Sequence, residues 1–170
     1  MIYEKRWLGS SSYWIRDKKF ETLEKALASV CLDLRDNVLY CPWGSVPLTS
    51  SSMASIQSGI REITNFLRKK QVMLSTSIAW VARPVVQMED ESYSCANFRC
   101  DSLQDLAHKV GMSLCGNYLI CGTIYVVLPR VNVATFIEGW ELLEQLVKDT
   151  KPQRQEESAK IDKFLKGLHG

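Results

Sequence analysis

The sequence is poor in histidine, with only His108 and His169 in 170 residues. That scarcity matters because an activated cysteine needs a neighbouring base, usually an imidazole. His108 lies in the run Leu106-Ala107-His108-Lys109, read as mid-helix, and His169 stands in the last two residues, where order is not expected. Cys41-Pro42-Trp43 is the loop cysteine with the most unusual neighbours, and it is read as structural. Phosphate-cradling glycine motifs are missing too: neither G-x-G-x-x-G nor G-x-x-x-x-G-K-[ST] occurs. Glu89-Asp90-Glu91 are adjacent, so they cannot face one another across a substrate and read as a solvated turn. No catalytic residue, cofactor, metal or small-molecule substrate is therefore expected.

Long apolar runs are also lacking. The longest, Tyr118 to Leu128, ends at Pro129-Arg130 and falls short of the roughly 20 residues a spanning helix needs. The opening Met1-Ile2-Tyr3-Glu4-Lys5-Arg6-Trp7 has no secretory h-region, and no lipidation motif is present. The expected location is intracellular (cytoplasmic). Neither charge sign dominates: a net charge of +2 is too small to argue for nucleic acid by itself.

What is present is a folding composition. Hydrophobic residues make up 46% and charged residues 24%, which excludes a disordered chain. A chain of this length buries roughly two-thirds of its unfolded surface and needs no staple to fold. The six cysteines, Cys31, Cys41, Cys95, Cys100, Cys115 and Cys121, are accordingly read as free, small, mostly interior residues. The alternative is a zinc site drawn from Cys95, Cys100, His108, Cys115 and Cys121. Its spacings are looser than zinc knuckles use.

Along the chain, Tyr3–Leu8 and Tyr13–Phe20 read as a hairpin across Gly9-Ser10-Ser11-Ser12. Thr22 is a helix N-cap, and apolar spacing predicts a helix from Leu23 to about Arg35. Val38–Cys41 is a short strand and Pro42–Pro47 a loop. A hydroxyl of Thr49–Ser52 caps a helix carrying Met53, Ile56, Ile60, Ile63 and Leu67, ending at Arg68-Lys69-Lys70. Val72–Met88 reads as one strand, kinked or at an edge at Pro84. Asp101 or Ser102 caps a helix stopped by Gly111, and Tyr118–Leu128 is the central-strand candidate. Ala134–Val147 is a helix, broken at Thr150-Lys151-Pro152. No internal repeat is read. The expected fold is α+β: a mixed, mainly antiparallel sheet packed against about four helices, with a C-terminal amphipathic helix. The expected division is a single domain over 1–150, then a polar linker and short helix over 151–170.

Two surfaces suggest contacts. Lys5, Arg6, Arg16, Lys18 and Lys19 are interleaved with Tyr3, Trp7, Tyr13 and Trp14, and Arg68, Lys69 and Lys70 add cations near a helix end. Such a mixture suits phosphates or an anionic membrane surface, although a solvated hairpin face would read the same way. Ile161, Phe164, Leu165 and Leu168 form an apolar stripe that packs on its own domain or meets a partner. Lys160, Lys163 and Lys166 flank it.

The run Ile2–Trp7, then Tyr13–Phe20, then Phe20-Glu21-Thr22-Leu23-Glu24-Lys25-Ala26-Leu27 resembles the start of a rhabdovirus matrix core. Gly122-Thr123-Ile124 and the helix around Trp140 are similar to that family's last strand and helix. The likeness covers about half the chain, and the length is like that of the short matrix proteins of plant members. A long basic N-terminal arm and the P-P-x-Y and P-[TS]-A-P motifs are not found, which departs from the animal-virus members. The resemblance implies a non-enzymatic, virion-associated assembly protein that self-associates, contacts nucleocapsid and meets the inner membrane leaflet. The alternative expectation is a small adaptor, inhibitor or immunity-type protein that binds one protein partner.

Overall fold

The computed structural model describes residues 1–79, 81, 85–96 and 98–169. Strand alternation in the opening segment buries Ile2 and Ile15 and leaves Tyr3 and Trp7 outward. The pattern is bent back twice, giving β1 (Ile2–Trp7), β2 (Ser10–Ile15) and β3 (Lys18–Phe20) before α1 (Leu23–Ser29). Three short strands follow, β4 (Asp33–Arg35), β5 (Val38–Cys41) and β6 (Gly44–Pro47), and then the long helix α2 (Met53–Leu74). The order repeats as β7 (Val85–Gln87), β8 (Tyr93–Cys95), β9 (Phe98–Cys100), α3 (Leu103–Lys109), β10 (Ser113–Cys115), β11 (Tyr118–Cys121), β12 (Ile124–Val127) and α4 (Val133–His169). The fold is α+β. Among the described residues it holds four helices and four three-stranded antiparallel sheets, where one larger sheet was expected.

The chain divides into two compact units. The first is Met1–Gln71 with Glu157–Gly170, and the second is Val72–Glu156. Each carries three strands and a short helix, then three more strands leading into a long helix. The expectation of no internal repeat is therefore overturned. Residues 13–63 correspond to residues 93–143 at a constant offset, with Tyr13/Tyr93, Leu23/Leu103, Leu39/Leu119, Cys41/Cys121, Val46/Val126 and Gly59/Gly139 among the identities. Equivalent hydrogen bonds recur at the same places. Thr22 accepts from the Lys25 amide at 3.2 Å, and Ser102 from the Asp105 amide at 3.1 Å. The Leu48 amide bonds the Asn37 carbonyl at 2.7 Å, and Leu128 bonds Asn117 at the same distance.

The short helices end in the same way, which explains why one was overextended from the sequence. In α3 the amides of Gly111 and Met112 return to the carbonyls of His108 and Ala107, a Schellman closure with Gly111 left-handed at φ 91°. In α1 the amides of Cys31 and Leu32 return to Ala28 and Leu27 in the same closure. Here the left-handed residue is Cys31, at φ 60°. With no glycine to mark the stop, the apolar spacing reads on to Arg35, yet Asp33–Arg35 is strand β4.

Other differences come from tight turns. The expected strand Tyr13–Phe20 is two strands joined by Arg16-Asp17, with Arg16 at φ 51°. The expected loop Pro42–Pro47 is a two-residue turn, Pro42-Trp43, followed by β6. Tyr118–Leu128 is a hairpin turned at Gly122-Thr123, with β11 central in its sheet. The expected strand over Val72–Met88 starts inside α2, and its strand portion is β7. Trp80 and residues 82–84, Pro84 among them, lie outside the described residues. The expected break at Pro152 is not seen, because α4 runs through it. The boundary placed near residue 150 thus falls inside a helix.

In the first unit the buried side chains include Leu27, Leu39, Ile56, Ile60, Ile63 and Leu67, with Ile161, Phe164, Leu165 and Leu168 from α4. The Phe164 ring meets Trp43 edge-on at 5.4 Å. The apolar stripe read as a possible partner contact is therefore covered. In the second unit Leu106, Leu119, Val126, Phe136, Trp140 and Leu143 belong to one apolar cluster.

Candidate functional site

Residues paired across antiparallel strands share a face. The register Tyr3↔Trp14↔Lys19, Lys5↔Ser12 and Trp7↔Ser10 therefore gathers Tyr3, Lys5, Trp7, Ser10, Ser12, Trp14 and Lys19 on the side of the first sheet opposite buried Ile2 and Ile15. The Lys5 ammonium sits 4.4 Å from the Trp14 ring centroid and 5.5 Å from that of Tyr3. Both are within cation–π range. Trp14 Nε1 donates to Ser12 Oγ at 3.0 Å, fixing the indole edge. Ser10 Oγ donates to the Trp7 carbonyl at 2.9 Å and steadies the turn. A shallow depression of about 390 Å³ lies here, lined by Lys5, Trp7, Trp14, Lys19 and Glu21 with serines 10–12.

The other sequence-nominated cations are distributed differently. Arg6 lies on the opposite face, where its Nε is 3.2 Å from Glu4 Oε1. The Ser11 hydroxyl first, and then Arg6, hold the Glu4 carboxyl below its ordinary range. Arg16 stands in the β2–β3 turn, and its guanidinium donates to the Lys166 carbonyl. Lys18 pairs with Ile15 and borders a separate depression of about 510 Å³, which also involves Arg16 and Phe20. Arg68 and Lys69 are exposed on α2, one turn before its end, and Lys70 Nζ is 3.3 Å from Glu157 Oε1. The structure thus keeps Lys5 and Lys19 with the aromatic face and separates the rest.

A second surface was missed. In the second unit Tyr118, Tyr125 and Val127 share one side of the last sheet and are exposed, with the tyrosine rings 5.7 Å apart. Cys115, paired with Tyr118, is exposed beside them. The equivalent positions of the first unit hold Arg35, Val38, Ser45 and Pro47. There Arg35 stacks over Tyr40 at 4.4 Å and pairs with Asp33 at 2.8 Å. Reading Tyr118–Leu128 as one buried strand concealed this face. Gly122-Thr123, as a two-residue turn, was the available signal.

The residues considered for zinc divide by burial, with Cys95, Cys100 and Cys121 in the apolar cluster of the second unit. Cys115 and His108 are exposed. Burial pushes the Cys121 thiol up, and Arg154 partly opposes it. Among the described residues no three His, Cys, Asp or Glu side chains gather as a metal site would require. Among them, too, no helix is long and apolar enough to cross a membrane. No family model, no curated protein and no solved structure matches the chain.

Proposed function

We propose that this chain is a non-enzymatic interaction protein that docks an anionic partner on the outer face of its first sheet. The observation that carries the reading is the co-facial set Tyr3, Lys5, Trp7, Trp14 and Lys19. Aromatic rings and ammonium groups sharing one sheet face, with Tyr3 and Trp7 exposed, suit an extended, negatively charged surface. The rhabdovirus resemblance supplies one concrete form: a matrix-type assembly protein that self-associates and contacts nucleocapsid and the inner membrane leaflet.

Light scattering across salt concentrations, with and without anionic vesicles, tests the reading. Association should be strong at low salt and weaken as the Debye length shrinks from about 8 Å at physiological salt to about 3 Å at 1 M. At about 1 kcal/mol per lysine near an anionic surface, the Lys5→Gln, Lys19→Gln double variant should bind about 30-fold less tightly. A monomer indifferent to every polyanion would refute the reading.

The exposed Tyr118–Tyr125–Val127 face favours a second reading, an adaptor or inhibitor that binds one protein partner there. That reading expects a stoichiometric, vesicle-independent complex that Tyr125→Glu abolishes.

A further inference from the structure

The tip of the first hairpin is built in a way that the fold does not require. Leu8-Gly9 is a two-residue turn closed by the Trp7↔Ser10 pair, with φ of 47° at Leu8 and 77° at Gly9. Turns of this geometry place asparagine, aspartate or glycine at the first position, because a branched side chain is strained at positive φ. Leu8 occupies it while 91% exposed, and Trp7 beside it is 76% exposed. No packing offsets the strain or the wetted apolar area. Arg16 and Cys31 share a positive φ in ordinary turns, so what sets this tip apart is two large apolar side chains held in water side by side, and that points to a use outside the fold.

We infer that this tip is a wedge that enters the interfacial layer of an anionic lipid bilayer. The inference rests on the anionic-partner reading above and names that partner. Tryptophan favours the boundary between headgroups and acyl chains, and leucine favours the acyl side. Lys5 lies on the same face two residues behind Trp7, about 7 Å back along the strand. With the tip immersed about 5–10 Å, its ammonium stands at headgroup level. Lys19, level with Tyr3, lies farther back as a second cation. A single-stranded nucleic acid could stack on Trp7, but Leu8 offers nothing to a base or a phosphate.

The test uses the full chain with vesicles of phosphatidylcholine, with and without phosphatidylserine, and an unstructured oligonucleotide as control. Leu8→Gly removes the apolar tip and relieves the strained φ, so loss of folding cannot mimic the expected result. Leu8→Gly should melt at or above the wild-type temperature yet bind phosphatidylserine vesicles about tenfold more weakly. Trp7→Ser should weaken binding similarly, and at saturating lipid brominated acyl chains should quench the tryptophan emission of the wild type more than that of Trp7→Ser, whose four remaining tryptophans set the background. If both variants bind as the wild type does while Lys5→Gln still weakens binding, the wedge is wrong and electrostatic docking stands. Binding to the oligonucleotide but not to vesicles overturns the wedge and keeps an anionic partner. Binding to neither overturns both.

Discussion

His169 ends α4, and its Nε2 lies 2.7 Å from Thr64 Oγ1. The Thr64 hydroxyl proton is directed at the Ile60 carbonyl, 2.8 Å away, so the threonine oxygen accepts and the imidazole carries its proton on Nε2. Protonating Nδ1 would add charge in an unfavourable place. Burial, then the Met1 ammonium and Arg68, lower the His169 pKa below its ordinary value. A depressed histidine pKa means the unfolded chain takes up the proton first. Stability is therefore intact above about pH 6.5 and declines as pH falls below it, levelling once the folded-state pKa is passed. Urea melts between about pH 7.5 and pH 5 should show this slope, above the range where most carboxylates titrate. His169→Gln retains an amide donor for Thr64 and should reduce it, leaving at the upper end the share of the Met1 amine, whose pKa is lowered by burial and then by Arg16. An unchanged slope in that variant would assign the pH dependence elsewhere.

At the scale of elements, α4 poses the sharpest question, since Pro152 sits inside 37 residues of helix. Proline removes one amide donor and crowds the preceding turn, at about 3 kcal/mol relative to alanine. Arg154 reaches back across that turn: Nη2 donates to the Val147 carbonyl at 2.6 Å, Nη1 to the Leu74 carbonyl at 2.5 Å and Nε to Thr150 Oγ1 at 3.2 Å. Thr150 in turn donates to the Leu146 carbonyl at 2.7 Å. Pro152 itself is exposed. Pro152→Ala should therefore stabilise the chain by about 1–3 kcal/mol in urea melts, and a loss of stability would show the proline fits a required bend. The apolar stripes and hydroxyl caps of the helices were legible because helical spacing extends over many residues. Three-residue strands such as β8, β9 and β10 carry too few alternations to register. Turns such as Arg16-Asp17 and Pro42-Trp43 lack the Asn-Gly type of pair that announces a hairpin. The aromatic and basic site was legible as composition. Register alone separated Lys5 and Lys19 from Arg6 and Arg16.

For the whole molecule, the repeat hid because its halves conserve roles more than residues. Ala26-Leu27 in one half answers to Leu106-Ala107 in the other, with large and small exchanged at adjacent buried positions. The outer sheet faces have diverged outright, from Arg35 and Ser45 to Cys115 and Tyr125. What persists is internal, and the paired glycines of the long helices test it. A methyl group at Gly59 would stand 2.5 Å from Leu48 Cδ2 and 3.3 Å from Leu39 Cδ2. At Gly139 it would press into Leu128 and meet Leu119 and Val126 at 3.5 and 3.6 Å. Alanine gains about 1 kcal/mol of helix propensity over glycine, whereas overpacking a core costs about 1–3 kcal/mol. Leu48 is half-buried and can yield, whereas Leu128 is 2% exposed and cannot. Gly59→Ala should accordingly lie near neutral to about 1 kcal/mol destabilising, and Gly139→Ala about 1–2 kcal/mol destabilising. Ser58→Ala and Glu138→Ala, exposed next door, should leave urea midpoints unchanged. A Gly139→Ala variant more stable than the wild type would mean that leucine and glycine do not pack as the shared plan requires.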